Sequence, residues 1–234
     1  MKQGFVKVAS ATPRIRVADP VYNAQVICEQ AKEAAEHGAK IVVFPELCIT
    51  GYTCNDLFLQ ELLLEKAKEA LLTIAEETGQ LETLFLVGLP VDKDGRLYNV
   101  AAVLYRGRIL GMIPKKNIPM YAEFYEGRHF TPGEETVTEY RLGKQVIPFG
   151  SNLLFRCEEL PELILGCELC EDLWVAEPPS TSHALMGATV IANLSASNET
   201  VSKDDYRTLL IKASSARLLC GYIYTSVSYT HLRA

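Results

Sequence analysis

The residues best suited to chemistry lie in "LGCELCEDLW" (165–174), where Cys167 and Cys170 stand three apart, each followed by an acid, at the end of an apolar run. A C-x-x-C pair in such a place has three readings. The thiols are core residues, because unpaired cysteine is among the most buried residue types; they form half of a redox or metal site; or one of them is a nucleophile. Structural zinc wants four close ligands, yet there is no second C-x-x-C, and His37, His129, His183 and His231 are each solitary. A redox pair wants to open a helix, whose dipole lowers one thiol pKa, whereas this pair straddles a strand end. A nucleophile wants a proton acceptor, and none of the histidines lies in a constructed motif. Glu46, directly after "IVVFP", emerges from another apolar run. Burial there would raise its pKa into the range of a general base; the alternative is a solvated loop acid. Lys115 and Lys116 in "IPKKNIP" bring the positive charge a tetrahedral oxyanion needs, or else form a solvated surface turn.

Alternating periods describe the elements that must position these groups. "FVKVAS" (5–10) reads as a strand, and Asp19 followed by Pro20 marks a helix start. Val21, Ala24, Cys28, Ala31 and Ala35 keep the helical period until His37 and Gly38 end it. "KIVVF" (40–44) is a short β-branched run suited to a strand covered on both faces. A second helix is expected from about 56 to 78, then a strand at "LFLVGLP" (84–90), then antiparallel hairpins at the Asp94-Gly95 and Arg106-Gly107 turns. Residues 114–135 hold no period and read as a long loop, a kind of segment that tends to carry function. Beyond it, "QVIPFG", "NLLFRCEE", "LILGCEL", "TVIANLS" and "YIYTSVS" are strand-like, while "TSHALMGA" and "DDYRTLLIKASSARLLCG" are helical. The pattern describes one α/β layered domain with mixed sheet in the middle.

Composition excludes several functions. The chain has 234 residues, 48% of them hydrophobic, enough to bury one substantial core. A net charge of -6 with scattered basic residues gives no footprint for nucleic acid or an anionic membrane, so small molecules are the expected partners. No apolar run approaches a bilayer span and the first residues lack the apolar core of an export signal, which together with seven dispersed cysteines points to a soluble cytoplasmic protein with reduced thiols.

"FPEL" with Glu46, "PKKNIP" with Lys115 and "CEDLW" with Cys170, in that order, resemble the Glu, Lys, Cys triad of the nitrilase superfamily of carbon-nitrogen hydrolases. "FPELCITGYTCNDLF", "IPKKNIPMYAEFYEGRHF", "GCELCEDLW" and "ANLSASNETVSK" are similar, more narrowly, to the glutaminase domains of glutamine-dependent NAD synthetases. The resemblance implies a nitrilase-like α-β-β-α sandwich, mixed sheets inside and helices outside, over 1–226, with an atypical tail at 227–234. It implies Glu46 as general base, Cys170 as the nucleophile forming a thioester with glutamine, and Lys115, helped by the N–H after Cys170, as oxyanion stabiliser. Tyr121, Glu171 and Ser197 would bind glutamine, Lys203 stands where relatives commonly have Arg, and Glu123 would be the second acid that orients Lys115. Cys167 is then packing. No metal or cofactor is implied for amide hydrolysis. ATP and Mg would belong to a synthetase domain, and neither a G-x-x-x-x-G-K-[ST] loop nor a serine-glycine-rich turn occurs here. The expected reading is a C-terminally truncated form with a bare sheet edge, unable to make NAD alone, whose relatives form homo-oligomers. A free-standing amidase on another small amide, or an inactive fragment docking on a partner, are the alternatives.

Overall fold

Along the chain come β1 (Val8–Ser10), α1 (Pro20–Glu36), β2 (Ile41–Val43), α2 (Glu61–Glu77), β3 (Leu84–Lys93), β4 (Arg96–Tyr105) and β5 (Arg108–Pro114). β6 (Thr138–Leu142), β7 (Gln145–Phe149), β8 (Leu154–Arg156), β9 (Ile164–Leu169), α3 (Pro179–Leu185), β10 (Val190–Leu194), α4 (Lys203–Leu218) and β11 (Gly221–Thr225) follow. This computed structural model describes residues 4–227, so the expected tail lies, from 228 on, outside the described residues.

The strands form a seven-stranded sheet in the order β1-β2-β3-β4-β5-β7-β6 and a four-stranded sheet in the order β11-β10-β9-β8. Alternation decides which side chain meets which layer. Ile41, Val43, Leu86, Ala101, Val103 and Ile113 of the larger sheet face Leu165, Cys167, Leu169, Ala192, Leu194 and Ile223 of the smaller one. One residue along, Val42, Phe85, Val87, Ala102 and Met112 point the other way and pack on Ala24, Ile27 and Ala31 of α1 and Ala67, Leu71 and Ile74 of α2. The far face of the smaller sheet is covered by α3 and α4. The result is the expected α-β-β-α sandwich, and the inner strands read as unbroken apolar runs because both their faces are covered.

Local signals explain most boundaries. The Asp19 carboxylate accepts the Tyr22 N–H at 3.2 Å and Pro20 opens α1, while Gly38 ends it at φ 82°. Two expectations differ. The second helix starts at Glu61 rather than near 56: Tyr52–Leu59 is a 3₁₀ stretch kinked at Asn55 (φ 49°), and extended Gln60 separates it from α2. The strand β6 was not expected, since its alternation of exposed Glu139 and Arg141 with buried Tyr140 and Leu142 is only five residues long. Among the described residues no helix is long and apolar enough to cross a membrane.

Candidate active site

Three strands deliver three reactive groups. β2 runs through Phe44 and Pro45 into Glu46, β5 runs into Lys115, and β9 runs into Cys170. Glu46 and Lys115 are wholly buried and Cys170 is 6% exposed. Lys115 Nζ donates to Glu46 Oε1 at 2.7 Å and to Glu126 Oε1 at 2.6 Å. Asn99 Nδ2, from the middle of β4, donates to Glu46 Oε1 at 2.7 Å and to Glu126 Oε2 at 3.3 Å. The Tyr52 hydroxyl donates to Glu126 Oε1 at 2.7 Å. Glu46 Oε2, also buried, has no hydrogen-bond partner among the described residues.

Backbone contacts fix these groups. The Lys115 N–H donates to Asn99 O at 2.8 Å, and Gly133 N–H donates to Lys115 O at 2.7 Å. Beside Glu46, the bare Cα of Gly88 on β3 lies so close that a Cβ there would stand 2.3 Å from Leu47 N and 2.8 Å from the Glu46 carbonyl carbon. Cys170 has φ 40°, in the left-handed region that L residues avoid, and opens the 3₁₀ turn Cys170–Leu173. A sharp turn at a strand end is what exposes a nucleophile to a site above a sheet.

Charges in this buried cluster act on one another. Burial pushes the Glu46 carboxyl up to about 7, with Lys115 opposing and Glu126 reinforcing the shift. Burial by itself would lower the Lys115 ammonium, but Glu126 and Glu46 outweigh it and hold Lys115 well above its ordinary value, firmly protonated. The Cys170 thiol is raised, first by burial and then by the Glu46 charge, against the pull of Lys115 and the Ala196 N–H. A thiol raised in this way rests protonated and needs a base when it attacks. The arrangement supplies that base, a fixed cation and a thiol within one field.

The remaining expected residues lie in the segments that follow β5, β9 and β10 and at the start of α4. The Tyr121 hydroxyl donates to Glu171 Oε2 at 2.9 Å, and burial with this bond raises the phenol to about 12. Ser197 is buried, and its Oγ accepts from Arg207 at 3.3 Å. Lys203 opens α4, donates to Asn198 Oδ1, and holds its ammonium 5.7 Å from the Phe124 ring centre and 5.2 Å from that of Trp174. Glu123 does not orient Lys115: it is exposed and accepts from Asn198, while Glu126, three residues later in the turn Glu126–Arg128, is the buried acid on Lys115. Cys167 lies in the layer between the sheets. All seven cysteines are free thiols. Among the described residues no group of three His, Cys, Asp or Glu side chains is spaced to hold a metal ion. Sequence reasoning missed Tyr52, Asn99, Glu126 and Arg207. Asn99 carried a signal, a polar residue inside the apolar run "YNVAAVLY", and Arg207 carried a weaker one, four residues after Lys203 on a helix.

Known proteins place this geometry in a family. Residues 7–225 match the carbon-nitrogen hydrolase family. A glutamine-dependent NAD(+) synthetase from Mycobacterium tuberculosis is 41% identical over 225 residues, which is 96% of this chain and 33% of the relative. The crystal structure of a glutamine-dependent NAD(+) synthetase from Cytophaga hutchinsonii superposes with a TM-score of 0.84 at 29% identity, covering 95% of this chain and 36% of that one. An amidase from Nesterenkonia sp. shares the fold with a TM-score of 0.73 at 19% identity, over 97% of this chain and 78% of the amidase. The chain thus spans a third of the length of the synthetases it matches. With three strand ends delivering Glu46, Lys115 and Cys170 to one buried cluster and a family match over nearly all its length, the chain belongs to the carbon-nitrogen hydrolases.

Proposed function

We propose that the chain hydrolyses the side-chain amide of glutamine through a thioester on Cys170. The observation that carries this reading is the buried Glu46–Lys115–Glu126 cluster acting on the Cys170 thiol. Glu46 Oε2 takes the thiol proton as Sγ bonds to the amide carbon. The oxyanion is stabilised by Lys115 and the backbone N–H of Glu171. Glu46 passes the proton to the leaving nitrogen, the C–N bond breaks, and ammonia departs. Glu46 then deprotonates a water that attacks the thioester, releasing glutamate and restoring the thiol.

Specificity falls to the residues of the segments that follow β5, β9 and β10. Glu171 is an acid suited to the amino group of a free amino acid, and Lys203, between Phe124 and Trp174, is a cation suited to its carboxylate. A lysine meets a carboxylate as a point charge rather than as a bidentate fork. Tyr121 and Ser197 complete the contacts, with Ser197 held by Arg207. The two synthetases named above are glutamine-dependent, which supports glutamine over other amides. The ammonia would feed a synthetase segment of the kind those relatives carry, and the ATP and Mg requirement would lie with that segment.

Ammonia release from glutamine and from a panel of small amides tests the reading. Glutamine should be preferred, and Cys170→Ala should lose at least about 10,000-fold in kcat. An electrophilic glutamine analogue, diazo-oxo-norleucine, should add once, on Cys170, and excess glutamine should suppress the adduct. Preference for an amide without the amino-acid head group would replace glutaminase by a general amidase.

A further inference from the structure

Asp172 is 1% exposed and has no part in the steps above. Its Oδ1 accepts the Asn117 backbone N–H and the Asn117 Nδ2, both at 2.8 Å. Its Oδ2 accepts the Leu169 N–H at 3.0 Å and the Lys116 N–H at 3.5 Å. Three of these donors belong to the two residues that follow Lys115, and the fourth belongs to the residue before Cys170. Residues 116 and 117 continue β5 of the seven-stranded sheet, while Leu169 ends β9 of the four-stranded sheet. A single carboxylate therefore ties together the two strand ends, from different sheets, that carry the cation and the thiol.

An ionised carboxylate satisfies this set, because three of the four donors are backbone N–H groups that cannot turn round and each needs a lone pair. Burial pushes Asp172 up to about 6, with Glu168 reinforcing and the donors from Leu169 and Asn117 opposing, so the clasp is formed at neutral pH. The Leu169 bond also braces the turn in which Cys170 takes its positive φ.

We infer that Asp172 is a positioning residue that sets the spacing between Lys115 and the Cys170 thiol by clasping the segments behind them. This rests on the roles proposed for those two residues. In Asp172→Asn an amide N–H₂ faces N–H donors on one side, so the clasp opens while the core volume is kept.

Two readouts test it: kcat and KM for glutamine, and the second-order rate of Cys170 alkylation by iodoacetamide, read by peptide mapping and normalised to the folded fraction. Asp172→Asn should lower kcat at least about 30-fold with KM within about threefold, and slow alkylation about tenfold. A residue that only supports the fold would lower the melting midpoint and leave the alkylation rate of folded molecules unchanged, and that result overturns the proposal. Should Asp172→Asn not fold, Asn117→Ala, which removes one donor from a half-buried loop position, decides: slower alkylation supports the clasp and parental alkylation with parental kcat overturns it. Alkylation needs no glutamine, so a parent chain that releases no ammonia from glutamine would refute the glutaminase reading and still leave the clasp measurable.

Discussion

Lys115 sits between two carboxylates whose surroundings divide their work. Glu126 has both oxygens engaged, by Lys115, Tyr52 and Asn99, whereas Glu46 keeps Oε2 without a partner among the described residues. In the mechanism proposed above, the occupied acid holds the cation and the one with a free oxygen moves protons. Glu126→Gln should therefore lower kcat by about 100-fold, because Lys115 loses its anchor, while Glu123→Gln should leave kcat within about threefold; steady-state glutaminase rates of the two variants check the pair. Equal losses in both would return the anchoring role to Glu123. Position alone left Glu46, Lys115 and Cys170 as candidates beside plainer readings; the resemblance of "FPEL", "PKKNIP" and "CEDLW" to a known triad is what singled them out. Glu126 was not legible, since the loop from 114 to 135 has no period, and nothing in "YAEFYEGRHF" tells which acid a 3₁₀ turn will point inward.

At the scale of elements, the site depends on how closely β3 backs onto the turn after β2. Phe44 N–H donates to Leu86 O and Ile49 N–H to Gly88 O, so the Glu46 turn is stitched to β3 on both sides. Gly88→Ala would set a methyl group 2.3 Å from Leu47 N and 2.6 Å from Pro45 O, backbone atoms that cannot rotate away. The expected outcome is a loss of about 1–3 kcal/mol in stability, together with a fall in kcat larger than that of Gly95→Ala at the open turn between β3 and β4; denaturant midpoints and glutaminase rates measure both. Apart from β6, strand and helix order was readable from periods and turn signals, and α1 even showed its Asp19 cap. The start of α2 was not readable, because the interrupting turn at Asn55 and Gln60 is held by contacts distant in sequence, such as Asp56 with Arg128 at 2.8 Å. The five-residue β6 gains its identity only by pairing with β7.

Over the whole molecule, burying acids sets how stability responds to pH. Glu46 is pushed up to about 7 and Asp172 to about 6, each chiefly by burial, and Glu168 is raised by the same cause. Unfolded, these groups release their protons near pH 4, so between about pH 4 and 7 the folded chain holds protons that the unfolded chain does not, and stability falls as pH rises through that window. Asp56, held down at about 2 by Arg128 and His129, acts below it. Thermal midpoints should accordingly be higher at pH 5 than at pH 8, and Glu46→Gln, with no proton to lose, should flatten part of that slope and lose activity without lowering the midpoint at pH 8. A parental midpoint that climbs from pH 5 to pH 8 would contradict this. Apolar runs described an α/β layered domain and the resemblance implied its two-sheet sandwich, but the place of Asn99 and Glu126 beside Glu46 and Lys115 was not foreseeable, because it joins residues from 46 to 126 through space. One further residue has a wider meaning. Cys170 holds a left-handed backbone, φ 40°, that disfavours any side chain by about 1–2 kcal/mol and suits glycine. Stability and reaction therefore select opposite residues at 170. Cys170→Gly should thus abolish the proposed amide hydrolysis while relieving that backbone conformation, separating what the fold wants at 170 from what the reaction wants.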